Sequence, residues 1–159
     1  MNKRNLIQAV IAKLTEELQV YLNAANASRE EATHESSKAE NKYDTRGLEA
    51  SYPARGQSQQ IVELETALVE FQKLADREFS AETPIDVGAF VELQQGRERS
   101  QYLVGPRAGG TEVEFDGNEV IVITPQSPLG SQLVGSKQGD TLQLTLPGSK
   151  DKYRVLKVA

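Results

Sequence analysis

Apolar residues recur at heptad spacing in two separate stretches of the chain. In the first stretch the steps are 4-3-4-3-4, through Ile7, Ile11, Leu14, Leu18, Tyr21 and Ala25. In the second stretch the steps are 3-4-3-4, through Ile61, Leu64, Leu68, Phe71 and Ala75. Heptad spacing places such side chains along one seam of a helix. The two seams therefore predict an antiparallel coiled-coil helical hairpin.

The register of the two seams predicts where the hairpin turns. If Ile7 lies opposite Leu74 or Ala75, the numbers of paired residues sum to about 81 and the turn falls near residue 41. We expect the first helix to begin after Asn5, and the second to end at about Phe79. At about 1.5 Å per residue, a 35-residue arm would extend about 50 Å.

The segment between the two helices is rich in residues that interrupt a helix. Asn41, Gly47 and Pro53 make a continuous helix over residues 40–53 unfavourable. We therefore expect an irregular tip, with the second helix starting between residues 48 and 58. Acidic residues cluster around this tip, namely Glu35, Glu40, Asp44 and Glu49.

From Ile85 onward the pattern changes to short runs of alternating or β-branched residues, which predict strands. Six such runs lie at residues 87–93, 100–104, 111–115, 118–124, 140–146 and 152–158. Before the fifth run, Ser127 as a cap, Pro128 at the first helical position and Gly135 as a stop predict one short helix. The fold class is therefore α+β, with a hairpin at residues 1–80 and a β-rich domain at residues 85–159.

Composition narrows the functional classes. The chain has 159 residues, no cysteine and a net charge of -5, so disulfides and cysteine-based sites are excluded. No apolar run approaches the roughly 18 residues that a membrane span needs, and we expect a cytoplasmic location. Since phosphate affinity comes from clustered Lys and Arg, we expect any contact with nucleic acid to run through a partner.

A motif pattern in the last third of the chain resembles a known family. Its parts are Ser127-Pro128-Leu129-Gly130, Leu133-Val134-Gly135, Gly139-Asp140, Leu146-Pro147-Gly148 and Tyr153-Arg154-Val155-Leu156. They are similar to the C-terminal domain of the Gre family of bacterial transcript-cleavage factors. The resemblance implies an FKBP-like β domain after the coiled-coil hairpin.

The resemblance also implies a function. Gre factors bind RNA polymerase at the rim of its secondary channel and insert the hairpin tip toward the active site. Two tip acids then help to hold a second Mg²⁺ and a water, and the polymerase itself hydrolyses backtracked RNA. On this basis the chain is not itself an enzyme and has no cofactor of its own. It shares Mg²⁺ with the polymerase active site and meets nascent RNA indirectly.

The tip residues can be matched to the family in two ways. The family pattern is Asp-Leu-Ser-Glu-Asn-Ala-Glu-Tyr, and Glu40-Asn41 with Tyr43 matches its Glu-Asn and Tyr with one residue missing from the spacing. Alternatively, Asp44 matches the Asp of the family pattern, and Glu49-Ala50-Ser51-Tyr52 matches its Glu-Tyr end. This second match also needs a shift of one residue. Both matches stay open.

The resemblance and the tip chemistry together assign candidate residues. Glu40 and Asp44 are the expected catalytic and Mg²⁺-binding acids, with Glu35 and Glu49 as alternates. Lys42 and Arg46 either contact RNA or form salt bridges with these acids.

A second set of candidates comes from the Ser-Pro motif. By resemblance, Ser127, Pro128 and Leu129 dock on a coiled coil of the polymerase β′ subunit. We expect Leu133 and Val134 to pack in the core of the β domain instead.

Three other functions compete with cleavage stimulation. The first is a secondary-channel regulator that competes with Gre factors without stimulating cleavage. A more distant one is a peptidyl-prolyl isomerase, since FKBP-like domains host that activity, although fold does not imply function. The last is a coiled-coil dimeriser, but the self-complementary hairpin favours a monomer.

Overall fold

The computed structural model describes residues 2–38, 55–74, 77–146 and 149–159. Within them, two helices, α1 (Lys3–Lys38) and α2 (Arg55–Gln72), precede a mixed β-sheet domain. That domain contains β1 (Phe90–Gln95), β2 (Glu98–Val104), β3 (Glu112–Phe115), β4 (Asn118–Ile123), the short helix α3 (Pro128–Leu133), β5 (Thr141–Leu146) and β6 (Ser149–Val158). The α+β class is confirmed, and so are the six predicted strands and the short helix.

Burial along α1 includes the predicted seam but is wider near the start of the helix, where Leu6 and Val10 are also buried. Ile7, Leu14 and Ala25 are buried, and the other seam positions are half-buried. The helix begins at Lys3, earlier than predicted, because the side-chain oxygen of Asn2 accepts a hydrogen bond from the Asn5 amide at 3.4 Å. An Asn in this position satisfies one of the free amides of the first turn.

The second helix ends earlier than the sequence predicts. After Gln72 the chain continues in tighter turns, and the amide of Leu74 donates to the carbonyl of Phe71 at 3.1 Å. Leu74 and Phe71 are both buried, and Leu74 lies beside Gly88. Tertiary contacts of this kind override helix propensity, so the prediction that the helix reaches Phe79 is wrong.

The chain divides into two compact units. One contains residues 1–13 and 67–159, and the other contains residues 14–66. The start of α1 and the end of α2 therefore belong to the same unit, as an antiparallel hairpin requires. The predicted turn near residue 41 lies outside the described residues, and the boundaries at residues 80 and 85 stay a prediction.

The sheet has the strand order β3-β4-β2-β1-β6-β5. Strands β2 and β4 are parallel and all other neighbours are antiparallel. Asp116 and Gly117, between β3 and β4, have φ values of 52° and 78°. Two successive positive φ angles are typical of a tight type I′ hairpin turn, for which Asp-Gly is a preferred sequence.

The two faces of the sheet differ. One face carries the core, which consists of Ile85, Ala89, Val91, Leu93, Val104, Ile123, Leu133, Val155 and Val158. On the opposite face, Phe90, Leu103, Val120 and Val122 are buried. This second face is apolar only in part. Glu92 lies on the same side of β1 as Phe90, and Gln101 lies on the same side of β2 as Leu103.

Candidate functional site

The structure describes only one of the positions of the candidate acids at the hairpin tip. Glu40, Asp44, Glu49, Lys42 and Arg46 lie outside the described residues. The backbone at the fourth candidate acid, Glu35, belongs to the last turns of α1. The assignments of catalysis, metal binding and RNA contact to these side chains stay predictions.

The Ser-Pro motif forms a capped helix start. The Ser127 hydroxyl accepts a hydrogen bond from the Gly130 amide at 3.0 Å and donates one to the Thr124 carbonyl at 2.8 Å. Pro128 occupies the first helical turn, where a missing amide hydrogen costs nothing. Both hydrogen bonds of the Ser127 hydroxyl therefore stabilise this turn.

Gly130 is needed for the close approach of two backbone segments. A Cβ atom at this position would lie only 1.9 Å from the carbonyl oxygen of Thr124 and 2.7 Å from the Ser127 hydroxyl. No larger residue fits without moving the turn. This contact explains why the motif continues from Ser-Pro to a glycine.

The side chains of α3 divide between core and surface. Leu133 is fully buried, and Leu129 is half-buried and packs against the core. Pro128 is exposed, and so is Val134, at 36%. The expectation that Val134 packs in the core is wrong, because the helix ends at Leu133 and Gly135 with φ 91° turns the chain away. The exposed apolar pair is thus Pro128 and Val134.

A cleft of about 440 Å³ adjoins Val134. Its lining includes Phe79, Pro84 and Ile85, together with the charged residues Arg77, Glu78 and Asp86. We call this the α3 cleft. It combines apolar and charged surface around Val134.

Arg77 organises the wall of the α3 cleft. Its guanidinium donates to the carbonyl of Val87 at 2.7 Å and to the carboxylate of Asp86 at 2.9 Å. The pKa of Asp86 lies below its ordinary value of 3.8, because the carboxylate accepts from the Val87 amide and, secondly, from Arg77. Asp86 therefore stays charged at neutral pH and holds Arg77 in place.

Phe79 lies close to two cations. The Lys3 ammonium is 4.7 Å from its ring centroid, and the Arg77 guanidinium is 5.1 Å from it. Both distances are within the range of cation–π attraction. Burial lowers the pKa of Lys3, while Glu78 raises it and Arg77 lowers it further. These contacts tie the start of α1 to the residues that follow α2.

The sequence patterns do not identify Arg77, Phe79 and Val134 as parts of this surface. Val134 follows a buried leucine at the end of a short helix, so periodicity alone suggested core. Arg77 and Phe79 lie in a stretch that the heptad pattern predicted as helix. Only the early end of α2 brings them beside residues 84–87.

Neither a cluster of metal-ligating side chains nor a membrane-spanning helix is found within the described residues. No group of three or more His, Cys, Asp or Glu side chains among these residues could hold a metal ion. None of the helices in these ranges has the length and hydropathy to cross a membrane.

Comparison with protein families identifies one matching model. The family described as "Transcription elongation factor, GreA/GreB, C-term" matches residues 80–159. This range contains the capped helix, the α3 cleft except for residues 77–79, and all six strands.

Curated relatives agree with the family match. The transcription elongation factor GreA of Clostridium kluyveri is 31% identical over 103 residues, covering 62% of this chain and 58% of the relative. GreA of Clostridium botulinum (strain Langeland) is 28% identical over 100 residues with the same coverage. The chain thus matches 58% of the length of these relatives.

Two solved structures are also similar. GreA factor homolog 1 (Gfh1) of Thermus thermophilus is 24% identical, covers 95% of both chains and has a TM-score of 0.39. Gfh1 of Thermus aquaticus is 24% identical, covers 95% of this chain and 94% of its own, and has a TM-score of 0.40.

Proposed function

The chain belongs to the GreA/GreB family of transcription elongation factors, and from this membership we propose that it binds RNA polymerase and promotes cleavage of backtracked RNA through the secondary channel. The observation that carries the proposal is the capped Ser127-Pro128 turn within the matched domain. The turn presents an exposed proline, Pro128, at the start of the short helix, and Val134 after the end of that helix lines the α3 cleft. The bacterial cytoplasm, where transcription takes place, is the proposed location.

The docking surface that we propose consists of Pro128, Leu129, Val134 and the rim of the α3 cleft. Pro128 and Val134 supply exposed apolar area. Ser127 contributes indirectly by holding the turn. A coiled coil of the polymerase β′ subunit is the proposed partner, because a helical surface offers both apolar side chains and charges for Arg77 and Asp86.

The length of α1 supports delivery of the tip over a distance. Its 36 residues correspond to about 54 Å at 1.5 Å per residue. We propose that an arm of this length reaches into the secondary channel.

The chemistry of the tip rests on its carboxylates. We propose that Glu40 and Asp44 are oxygen ligands of an Mg²⁺ ion shared with the polymerase active site, since carboxylates suit this hard cation. The bound metal would stabilise charge on the attacking and leaving oxygens. The isolated chain is then expected to show no nuclease activity.

RNA cleavage in stalled, backtracked elongation complexes tests this function. The protein should stimulate cleavage, and Glu40→Ala/Asp44→Ala should abolish stimulation while polymerase binding is retained. A matched control is Glu82→Ala/Glu98→Ala, which removes two exposed carboxylates from the C-terminal part. Unchanged stimulation by the tip variant would overturn the assignment of these acids.

A second function is favoured by one observation in the sequence. The tip departs from the acidic pattern that the Gre resemblance implies in both matches, by one missing residue in the first and by a shift of one residue in the second. A channel competitor needs no catalytic acids. If it is the true function, the protein should fail to stimulate cleavage and should inhibit cleavage stimulated by an added Gre factor that is active.

A further inference from the structure

The sheet carries a cationic face that the proposed function does not use. Glu92 pairs with Gln101 and Lys157, and Gln94 pairs with Arg99 and Arg154. Paired residues, and residues two apart on a strand, lie on the same side of a sheet. Four exposed cations therefore share one side, and we call them the cationic face: Arg99, Lys152, Arg154 and Lys157.

Charge on this face contrasts with the rest of the chain. The protein has a net charge of -5, yet residues 141–159 contain four Lys or Arg side chains and one Asp or Glu. The nearest carboxylate on the face, Glu92, lies 3.8 Å from Arg99 and accepts a hydrogen bond from Gln101 at 3.5 Å. Lys152, Arg154 and Lys157 show no such ion pair among the described residues. They are available to an anionic partner.

A small cavity of about 170 Å³ opens on the same side of the sheet. Its lining includes the half-exposed ring of Phe115, the amide side chains of Gln101 and Asn118, and Lys157. Glu92 and Asp116 also border it. An aromatic face, polar groups that can donate or accept hydrogen bonds, and an adjacent cation together suit a planar base attached to a phosphate.

We propose that the cationic face binds single-stranded RNA, with a base in the Phe115 cavity and the phosphates on Lys152, Arg154 and Lys157. Single-strand binding proteins combine a positive surface that follows the backbone with aromatic side chains on which bases stack. Alternate residues of a strand are about 6.6 Å apart, so Lys152 and Arg154 suit successive groups of an extended polyanion.

The choice of RNA over other polyanions rests on two grounds. An acidic peptide would form ion pairs with the cations, but its acidic side chains have no planar ring to stack on Phe115 in the cavity. The choice of RNA over single-stranded DNA rests on the proposed function, because RNA is the strand that a polymerase displaces when it backtracks.

Fluorescence anisotropy with a labelled 12-nucleotide RNA and the isolated full chain tests the proposal. Three phosphate contacts predict that log Kd rises with log salt concentration with a slope of about 2. Lys152→Gln/Arg154→Gln/Lys157→Gln should lower the slope by about 2. Lys13→Gln/Lys73→Gln/Lys137→Gln, which removes three exposed charges elsewhere, should leave the slope unchanged.

The Phe115→Leu variant tests the base site separately. Loss of the aromatic ring should weaken binding about fivefold or more, with the salt slope unchanged. Should the triple variant fail to fold, an NMR titration of the wild-type protein replaces it. RNA should then shift the amide signals of residues 99–101 and 152–157 and leave those of α3 unmoved.

Three results would overturn the proposal. They are no RNA binding at low salt, equal losses in the triple variant and its charge-matched control, and binding of a poly-glutamate peptide as tight as that of RNA. None of these depends on polymerase, so RNA binding can fail while cleavage stimulation succeeds, and the reverse.

Discussion

Gly130 and Gly105 serve close packing, and neither is a position where a positive φ demands glycine. A Cβ at Gly105 would lie 2.7 Å from the Phe71 ring and 2.8 Å from a Val122 methyl. A Cβ at Gly130 would lie 1.9 Å from a backbone oxygen. The first neighbours are side chains and can shift, whereas the second is backbone and cannot do so cheaply.

Gly130→Ala is therefore expected to lower the free energy of unfolding by about 3 kcal/mol, the upper part of the range for overpacking. Gly109→Ala is the control, because the nearest neighbour of its Cβ would be a Thr124 methyl at 3.3 Å, and it should cost well under half as much. Urea denaturation monitored by circular dichroism measures both. Equal costs would show that the Thr124 contact is not what requires glycine.

The Arg77–Asp86 pair predicts a pH dependence of stability. The folded-state pKa of Asp86 is below 3.8, first because of the Val87 amide and then because of Arg77. An acid with a lowered folded-state pKa stabilises the fold above its unfolded pKa, and this contribution is lost as pH falls through the folded-state pKa.

Asp86→Asn should therefore be less stable than wild type at about pH 6, and the gap should close below about pH 4. The carboxylate is half exposed, so the gap is small. Thermal unfolding midpoints measured at several pH values, with Glu82→Gln as an exposed control, test this. A gap that does not change with pH would contradict the ion-pair explanation.

At the scale of elements, the short helix α3 depends on its cap. Six residues are too few for a helix to form by propensity alone. The Ser127 hydroxyl satisfies an otherwise free amide and is itself bound to the Thr124 carbonyl. The burial of Leu133 adds the tertiary contribution.

Ser127→Ala should thus cost about 1 kcal/mol of stability, and Ser127→Thr should restore most of it because threonine keeps the hydroxyl. Ser131→Ala, which removes an exposed hydroxyl that donates to the Pro128 carbonyl, is the control. Denaturant titration gives the values. If both serine variants cost the same, the cap has no special role.

At the scale of the whole molecule, the proposed docking surface should matter to polymerase binding more than to stability. Val134→Glu places a charge in exposed apolar surface beside the α3 cleft. We expect at least a tenfold weaker affinity for RNA polymerase, equivalent to about 1.4 kcal/mol. Val69→Glu, at another exposed valine, is the matched control.

Surface plasmon resonance with immobilised polymerase measures both affinities. If Val134→Glu binds polymerase as tightly as the wild type does, the docking surface does not lie at α3. A comparable loss in Val69→Glu would instead indicate that α2 contributes to the interface.

Local patterns account for most of the elements. Heptad spacing located the helices, alternation located the six strands, and Ser127, Pro128 and Gly135 located the short helix with its cap. These features can be predicted from the sequence because each depends on neighbours within a few residues along the chain. The family pattern of residues 127–156 is local in the same sense.

The tertiary structure decided the rest. It ended α2 at Gln72, exposed Val134, placed Arg77 and Phe79 beside the α3 cleft, and paired strands so that Arg99 on β2 shares a side with Lys157 on β6. Each of these depends on contacts between residues far apart in sequence. Heptad spacing and alternation describe one helix or strand at a time, so they cannot give strand order or the competition between a helix turn and a buried side chain.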